Sequence, residues 1–307
     1  MKRESYSIIY ALHVLPEEIY DLGRIIRDFE LVSLNNQNVN NTLYIDLNIS
    51  DEYYDWESSK LTKEVVIDIF NNFLEISKKT LNIISNIRSE GEWGVNSTRR
   101  LVIREFKYDY DYIGYIDVDI VFNPESVSYV YETLEKVEGE YLIFSAMLAK
   151  LWNSHFDELT HPKYRNIKDR HYFKKLNPLT QNNLYKTQKN RIGFIDDVII
   201  GGGWFNIFSS NIFDFIDIPD ELGVYGLDDH WVQECCRFLN KNGWNIKQCY
   251  NEKFVVFENQ GRKFNFNDTI LSDNDKLGKK YKYQASAKTV YNELYDKFIQ
   301  TTIKKYF

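Results

Sequence analysis

The chain has 307 residues, of which 43% are hydrophobic, 27% charged and 16% aromatic. These values are typical of one large folded domain or two modest ones, and they exclude disordered and collagen-like chains. No apolar run reaches the ~20 residues that a membrane-spanning helix needs, and Glu4 interrupts any secretory signal at the start. The three cysteines lack metal-ligand spacing and cannot form a disulfide framework. We therefore predict a soluble, cytoplasmic protein with no membrane partner.

The net charge of −7 is unevenly distributed. Residues 161–191 contain nine Lys and Arg against one acid, and residues 276–307 contain eight Lys against two acids. Tyrosine and phenylalanine residues are interleaved with the basic ones in both stretches. Such a patch can attract a polyanion. Lysines that only solvate a loop and a terminal helix would produce the same pattern, so the charge alone does not decide between the two interpretations.

Apolar strand-like runs alternate with helical patterns along the chain, which predicts an α/β fold. In chain order, we predict strands at 6–13 and 42–47, a long amphipathic helical region at 61–87, a helix at 97–106 and a strand at 112–116. A helix opened by Pro124 and a strand at 141–146 follow. Beyond a basic insertion at 148–193, we predict an element at 199–209 broken by three glycines, a helix at 228–239, strands at 245–249 and 254–257, and a helical tail from 285 onward.

Two aspartates, Asp117 and Asp119, follow the predicted strand at 112–116. The chain contains two other Asp-x-Asp pairs, 109/111 and 273/275, but only the middle pair lies at the carboxyl end of an apolar strand, where ligands bind in open α/β sheets. A divalent cation would offset the repulsion between the two carboxylates, and Mg²⁺ or Mn²⁺ prefers such oxygen ligands. The alternative is a pair of acids that caps the next turn.

Three further segments contain candidate functional residues. Gly94 allows close backbone approach, and Arg99 and Arg100 can donate to phosphate. The segment 201–205 has three glycines without side chains, followed by Trp204 and Phe205. A sugar ring or a base can pack against such exposed backbone and aromatic rings. The Gly-Leu-Asp-Asp sequence at 226–229 begins a helix, whose dipole favours ionised carboxylates able to act as a general base. The structural alternatives are surface arginines, a β-bulge and an ordinary N-cap.

Taken in order, these motifs resemble those of the GT-A-fold, nucleotide-sugar-dependent glycosyltransferases, over roughly residues 5–260. The resemblance implies a mixed α/β sheet with a Rossmann-like nucleotide-binding half and flanking helices. It implies a catalytic domain, which we assign to 1–275, and it leaves the basic insertion at 148–193 unmatched. Because this insertion falls between the donor half and the acceptor segment, we expect it to overhang the acceptor site. A basic helical tail at 276–307 would follow.

The resemblance also implies roles for individual residues. The implied donor-binding residues are Tyr10, His13, Asp46, Arg99, Arg100, Asp117 and Val118. Asp117 would lie near the ribose and Asp119 would bind a Mn²⁺ or Mg²⁺ ion on the diphosphate. The late histidine ligand of many members is missing, and Glu258, or alternatively Asn259 or water, would take its place. The implied acceptor-binding residues are Gly202, Gly203, Trp204, Phe205 and His230. Asp229 would be the base, assisted by Asp228, which stands where Glu is usual.

The expected reaction is transfer of a sugar from a nucleoside-diphosphate sugar, with a UDP-sugar favoured, to a hydroxyl. The Gly226 to Asp229 motif favours inversion. One acceptor hypothesis is an anionic polymer such as a hydroxymethylated base in DNA, because lysines mixed with tyrosines can hold phosphates and stack bases. Alternatives are a protein or glycan acceptor, and a non-catalytic nucleotide- or carbohydrate-binding module. A nucleotidyltransferase would carry a glycine-rich basic loop after the first strand, which this chain lacks at 11–16. The sequence does not indicate an oligomeric state.

Overall fold

A computed structural model describes residues 5–151, 190–259 and 274–306, apart from positions 53, 55, 58, 60, 78–79, 138, 196–197 and 199–202. A mixed sheet of eight strands with helices on its faces forms the centre of the described part, and a three-stranded sheet lies beside it. The predicted mixed α/β fold is therefore confirmed. Among the described residues, no helix is both long and apolar enough to span a membrane.

The first half of the chain forms a parallel α/β unit. Its elements are β1 (Tyr6–Val14), α1 (Ile19–Asn35), β2 (Val39–Asn48), α2 (Lys63–Ser77), β3 (Asn82–Arg88), α3 (Val95–Phe106) and β4 (Tyr112–Ile116). The four strands are parallel in the order β3-β2-β1-β4, and His13 pairs with Asp46 near the carboxyl ends of β1 and β2. Parallel strands end at the same edge of a sheet, so the residues after β1, β2 and β4 are brought together there.

The second half completes the large sheet and forms the small one. Its elements are β5 (Ile120–Val121), α4 (Val127–Lys136), β6 (Tyr141–Ser145), β7 (Met147–Leu151), β8 (Ile192–Ile195), β9 (Phe205–Ser209), α5 (Asp228–Lys241), β10 (Ile246–Asn251), β11 (Val255–Asn259) and α6 (Asn274–Tyr306). The large sheet continues β4-β9-β6-β10-β8, with β9 antiparallel to both its neighbours. The small sheet has the order β5-β11-β7.

The large sheet is covered on both faces because successive strand residues point to opposite sides. Along β1, Ile8, Tyr10 and Leu12 belong to one apolar cluster, together with α1, whereas Ile9 and Ala11 belong to the other. The second cluster includes residues of α5 and α6, so the C-terminal helix closes one face of the sheet. Burial on both faces is typical of parallel strands, which read as continuous apolar runs.

Two predictions of secondary structure fail in the first half. The region 61–87 was expected to be helical throughout, but α2 ends at Ser77 and residues 82–88 form the edge strand β3, paired with β2. The spacing of apolar residues records only the local pattern, whereas residues 82–88 become a strand because their backbone pairs with β2. The sequence analysis assigned no element to α1, although Leu22, Ile25 and Phe29 stand at helical spacing and are buried.

The tail helix begins at Asn274, earlier than the predicted 285. Of the predicted insertion, residues 152–189 lie outside the described part of the chain, which includes only its ends in β7 and β8.

Candidate active site

Arg99 joins three of the motifs that the sequence singled out. Its side chain is 3% exposed, and its Nη1 donates to Asp228 Oδ2 at 2.7 Å. Its Nη2 donates to Asp117 Oδ1 at 2.9 Å and to the Gly203 carbonyl at 3.0 Å. One guanidinium on α3 thus connects the end of β4, the start of α5 and the segment before β9. We call Arg99, Asp117, Gly203, Asp228 and Asp229 the Arg99 cluster.

Gly203 is required by the position of Arg99. A Cβ at residue 203 would lie 2.6 Å from Arg99 Nη1, closer than such atoms approach in proteins. Of the other predicted acceptor-binding residues, Gly202 lies outside the described residues, and Trp204 is partly buried while its carbonyl accepts the Asp117 N–H at 3.1 Å. Phe205 is buried against Phe254, so the structure places its ring in the core.

The two aspartates of the Asp-x-Asp motif reach solvent. The Asp117 side chain is 35% exposed and Asp119 is partly exposed, whereas Val118 between them is buried and its carbonyl accepts from Arg24. The main chain of Glu258 on β11 pairs with Ile120, the residue after Asp119. The carboxylates therefore lie at an accessible strand tip, and the strand that carries the third predicted ligand runs beside it.

The Arg99 cluster contains more negative than positive charge. One guanidinium faces Asp117 and Asp228 directly, and Asp229 also contributes to its electrostatic environment. Within the part of the chain that the structure describes, no three His, Cys, Asp or Glu side chains form a ready metal-binding group. Mg²⁺ and Mn²⁺ are often held by one or two carboxylates together with phosphate and water oxygens. The oxygen ligands of Asp117 and Asp119 fit a cation completed in that way.

Asp229 is the titratable group of this cluster. Its Oδ1 accepts the His230 N–H at 2.8 Å. The pKa of Asp229 is raised to about 7, first by burial and next by the negative charge of Asp228, while the positive charge of Arg99 lowers it. The helix N-terminus favours the ionised carboxylate, but desolvation opposes it and outweighs it in the net effect on the pKa of Asp229.

A second polar group, which we call the Asp46 cluster, lies at the ends of β1 to β3. The fully buried Asp46 accepts from Arg88 Nε at 2.9 Å and from Trp93 Nε1 at 3.0 Å. The Arg88 guanidinium stacks on the Trp93 ring at 4.0 Å, and Thr98 Oγ1 lies 3.1 Å from Trp93 Nε1 and 3.3 Å from His13 Nδ1. Trp93 and Thr98 thus connect His13 with Asp46, two of the predicted donor-binding residues.

The Asp46 cluster determines the charge states of its members. Burial raises the pKa of Asp46, and Arg88 opposes that effect. Burial, followed by the charge of Arg99, lowers the pKa of His13 to about 3, so this imidazole is neutral at neutral pH. Arg88, Trp93 and Thr98 are not among the residues predicted from the sequence. Their proximity to Gly94 and Arg99 along the chain was the available signal.

Three predicted site residues make their contacts outside the two clusters. Tyr10 is fully buried in the core and has no surface for a nucleotide. Arg100 donates to backbone carbonyls in the loop 218–223, because consecutive helical residues point about 100° apart. The His230 ring packs edge-on against Tyr291 of α6, at a centroid distance of 5.3 Å.

No family model matches the chain, and no curated protein matches it in sequence. Among solved structures, S. aureus TarS 1–349 is similar over 92% of this chain and 70% of its own, at 12% identity and a TM-score of 0.48. The same fragment in complex with UDP-GlcNAc is similar over 82% and 58%, at 11% identity and a TM-score of 0.45. The mannosyltransferase PcManGT from Pyrobaculum calidifontis, in complex with GDP-Man and Mn²⁺, is similar over 81% and 57%, at 10% identity and a TM-score of 0.45. This chain covers less than two thirds of the length of the last two structures.

Proposed function

We propose that the protein is a divalent-metal-dependent glycosyltransferase that moves a sugar from a nucleoside-diphosphate sugar to an acceptor hydroxyl. The Arg99 cluster carries this proposal. It joins the accessible carboxylates at the β4 tip to the start of α5, where the pKa of Asp229 is raised to about 7. A cation-binding carboxylate pair beside a base that titrates near neutral pH is the combination that transfer from a diphosphate to a hydroxyl needs.

The oxygen ligands proposed for Mn²⁺ or Mg²⁺ are Asp117 and Asp119, with Glu258 on the adjacent strand as the third protein ligand. When bound, the ion offsets the negative charge that develops on the leaving diphosphate. The positive charge of Arg99 also stabilises this negative charge, although Asp117, to which Arg99 donates at 2.9 Å, lies between Arg99 and the diphosphate. Its burial makes it a positioning residue for Asp117 rather than a direct phosphate ligand.

The proton of the acceptor hydroxyl goes to Asp229. Because Oδ1 accepts the His230 N–H, we assign the proton to Oδ2. The acceptor oxygen forms a bond to the anomeric carbon while the bond from that carbon to the diphosphate oxygen breaks, and the electron pair leaves with the diphosphate. A single in-line displacement of this kind inverts the anomeric centre. Asp228 is buried and bonded to Arg99, so we assign it to positioning Arg99.

On the acceptor side, the proposal uses only the sequence. The nine basic residues of 161–191, interleaved with aromatic residues, make an anionic polymer such as DNA containing a hydroxymethylated base the first acceptor to test, ahead of a protein or glycan. Binding of DNA that weakens steeply as salt rises supports this acceptor. Absence of binding to single- and double-stranded DNA at low salt contradicts it and favours a protein or glycan acceptor.

The central experiment measures release of nucleoside diphosphate from UDP-, GDP- and TDP-sugars in the presence of Mn²⁺. UDP-GlcNAc and GDP-Man, the ligands of similar structures, come first in the panel. We expect slow release with one donor, and its loss in Asp119→Ala or in excess chelator. Asp109→Ala is the matched control, because Asp109 is exposed and belongs to another Asp-x-Asp pair. Binding of a donor without release in any assay would support the non-catalytic module instead.

A further inference from the structure

The turn before α5 adopts an unfavourable backbone conformation. Gly226 has φ = 89°, and Leu227 has φ = 66°, the one positive φ of a non-glycine residue within the described ranges. A side chain in the left-handed region costs about 1–2 kcal/mol, and such a conformation persists only where its surroundings hold it. Asp228 and Asp229 follow immediately, so the direction of both carboxylates depends on this turn.

Helix α3 holds one side of the turn. The Asn96 N–H donates to the Val224 carbonyl at 3.0 Å, and Asn96 Nδ2 donates to the Gly226 carbonyl, also at 3.0 Å. Gly94 allows this approach, because a Cβ there would lie 2.3 Å from the Val224 carbonyl oxygen. The helix that carries Arg99 thus also fixes the main chain that leads to Asp228.

Helix α6 closes the other side. A Cβ at Gly226 would lie 3.2 Å from Gln284 Cγ, which places α6 directly against the turn. The neighbouring Tyr283 donates its hydroxyl proton to Glu92 Oε1 at 2.5 Å, and Glu92 lies in the loop that leads into α3. One helical turn thus contacts both the α5 entry and the α3 entry.

We propose that Tyr283 and Gln284 are positioning residues that hold the turn 224–227 and thereby set the direction of the Asp229 carboxylate. The catalytic consequence rests on the proposed function. The helix that the sequence indicates as a basic tail is then part of the active-site framework, and it acts on the base through the turn without touching the substrate.

The test compares Tyr283→Phe and Gln284→Ala with Lys288→Ala, an exposed position on the same helix. Tyr283→Phe keeps the ring, so the helix keeps its packing while the hydrogen bond to Glu92 is lost. We expect backbone amide hydrogen exchange at residues 226–230 to accelerate about tenfold in Tyr283→Phe, which loses a hydrogen bond worth roughly 1 kcal/mol. The same exchange should accelerate in Gln284→Ala, which loses the side-chain packing against Gly226. The Lys288→Ala rates should match the wild type.

The kinetic test uses the donor found in the panel above. We expect kcat to fall about tenfold while the donor KM stays unchanged and the midpoint of the pH profile moves, because the base is displaced but the donor side is intact. Exchange rates at 226–230 that stay at the wild-type level, or that rise equally across the whole domain, overturn the inference. If no donor is turned over by the wild type, the proposed function fails, and the exchange comparison still decides the positioning role.

Discussion

The Asp46 cluster and the Arg99 cluster are built from the same parts and differ in charge balance. Each lies at the carboxyl ends of parallel strands and pairs a buried carboxylate with an arginine. In the first, Arg88 faces one acid, and the Trp93 N–H satisfies the other carboxylate oxygen of Asp46. In the second, Arg99 bonds to two acids and lies within the electrostatic reach of a third.

Under the proposed function, this difference in charge balance distinguishes a structural network from the proposed active site. A buried pair whose charges cancel and whose hydrogen bonds are complete needs nothing more from solvent or ligand. Surplus negative charge beside a solvent-accessible strand tip favours a cation, and it also favours a proton on Asp229, whose pKa is raised. Perturbed titration is typical of such sites. The charge balance, more than the presence of an arginine and an aspartate, indicates where chemistry takes place.

The largest effect is expected from removing Arg99. Arg99→Ala leaves Asp117 and Asp228 without their counter-charge, which costs about 3–5 kcal/mol in a buried pair. Arg88→Ala affects a single carboxylate that keeps its bond from Trp93, so its cost should be clearly smaller. Urea unfolding of the two variants measures the difference. Equal losses of unfolding free energy in the two variants would show that the clusters are energetically equivalent, and would contradict the proposed difference between them.

Asp229→Asn should lower turnover by about 10²–10⁴-fold, as expected for loss of a general base. The turnover of the wild type should rise with pH through about 7, where the pKa of Asp229 lies, and then level off.

The stability of the same variant tests the sign of the pKa shift. A folded-state pKa above that of the unfolded chain means that ionisation is disfavoured in the fold, so wild-type stability declines as pH rises from about 4 to about 7. Asp229→Asn removes that penalty and should melt at a higher temperature than the wild type at pH 8. A lower melting temperature at pH 8 would contradict the raised pKa.

Gly203→Ala tests the packing of the Arg99 cluster. The added methyl group would lie 2.6 Å from Arg99 Nη1 and must displace the guanidinium, at a cost of about 1–3 kcal/mol. Gly139→Ala is the control, because its Cβ would meet only the flexible Lys247 side chain at 3.3 Å. The melting temperature and the donor turnover should both fall in Gly203→Ala, and both should stay near the wild-type values in Gly139→Ala.

The smallest effect is expected in the Asp46 cluster. Trp93→Phe removes the indole N–H that lies between Asp46 and Thr98, which should cost about 1–2 kcal/mol in unfolding free energy. Turnover at saturating donor should stay within about twofold of wild type, since the charge balance around Arg99 is untouched. A fall in kcat as large as that of Gly203→Ala would show that the two clusters act as one.

The sequence predicts those parts of the fold that have a strong local signal. β4 begins and ends at the predicted residues, and α3 and α5 begin within two residues of the expected positions. β3 was mistaken for a helix because its strand character comes from pairing with β2, which no local pattern records. The sheet order, including antiparallel β9 between β4 and β6, likewise depends on contacts between distant segments.

The candidate site shows the same division. The three motif segments could be found from residue types, yet nothing local indicates that Arg99 faces inward while Arg100 binds loop carbonyls. The protonation of Asp229 was also beyond sequence reasoning. The dipole of α5 is a local feature and predicts an ionised acid, whereas burial and the charge of Asp228 arise only in the folded molecule.

The position of the strands on either side of residues 152–189 has an evolutionary consequence. β7 is held in the small sheet by β11, and β8 is held at the edge of the large sheet by β10. The closure cost of a segment fixed at both ends grows by only about 0.6 kcal/mol for each doubling of its length. Natural variation can therefore replace or lengthen this segment while the Arg99 cluster stays intact, so that, under the proposed function, a lineage can acquire new acceptors without altering the proposed catalytic residues.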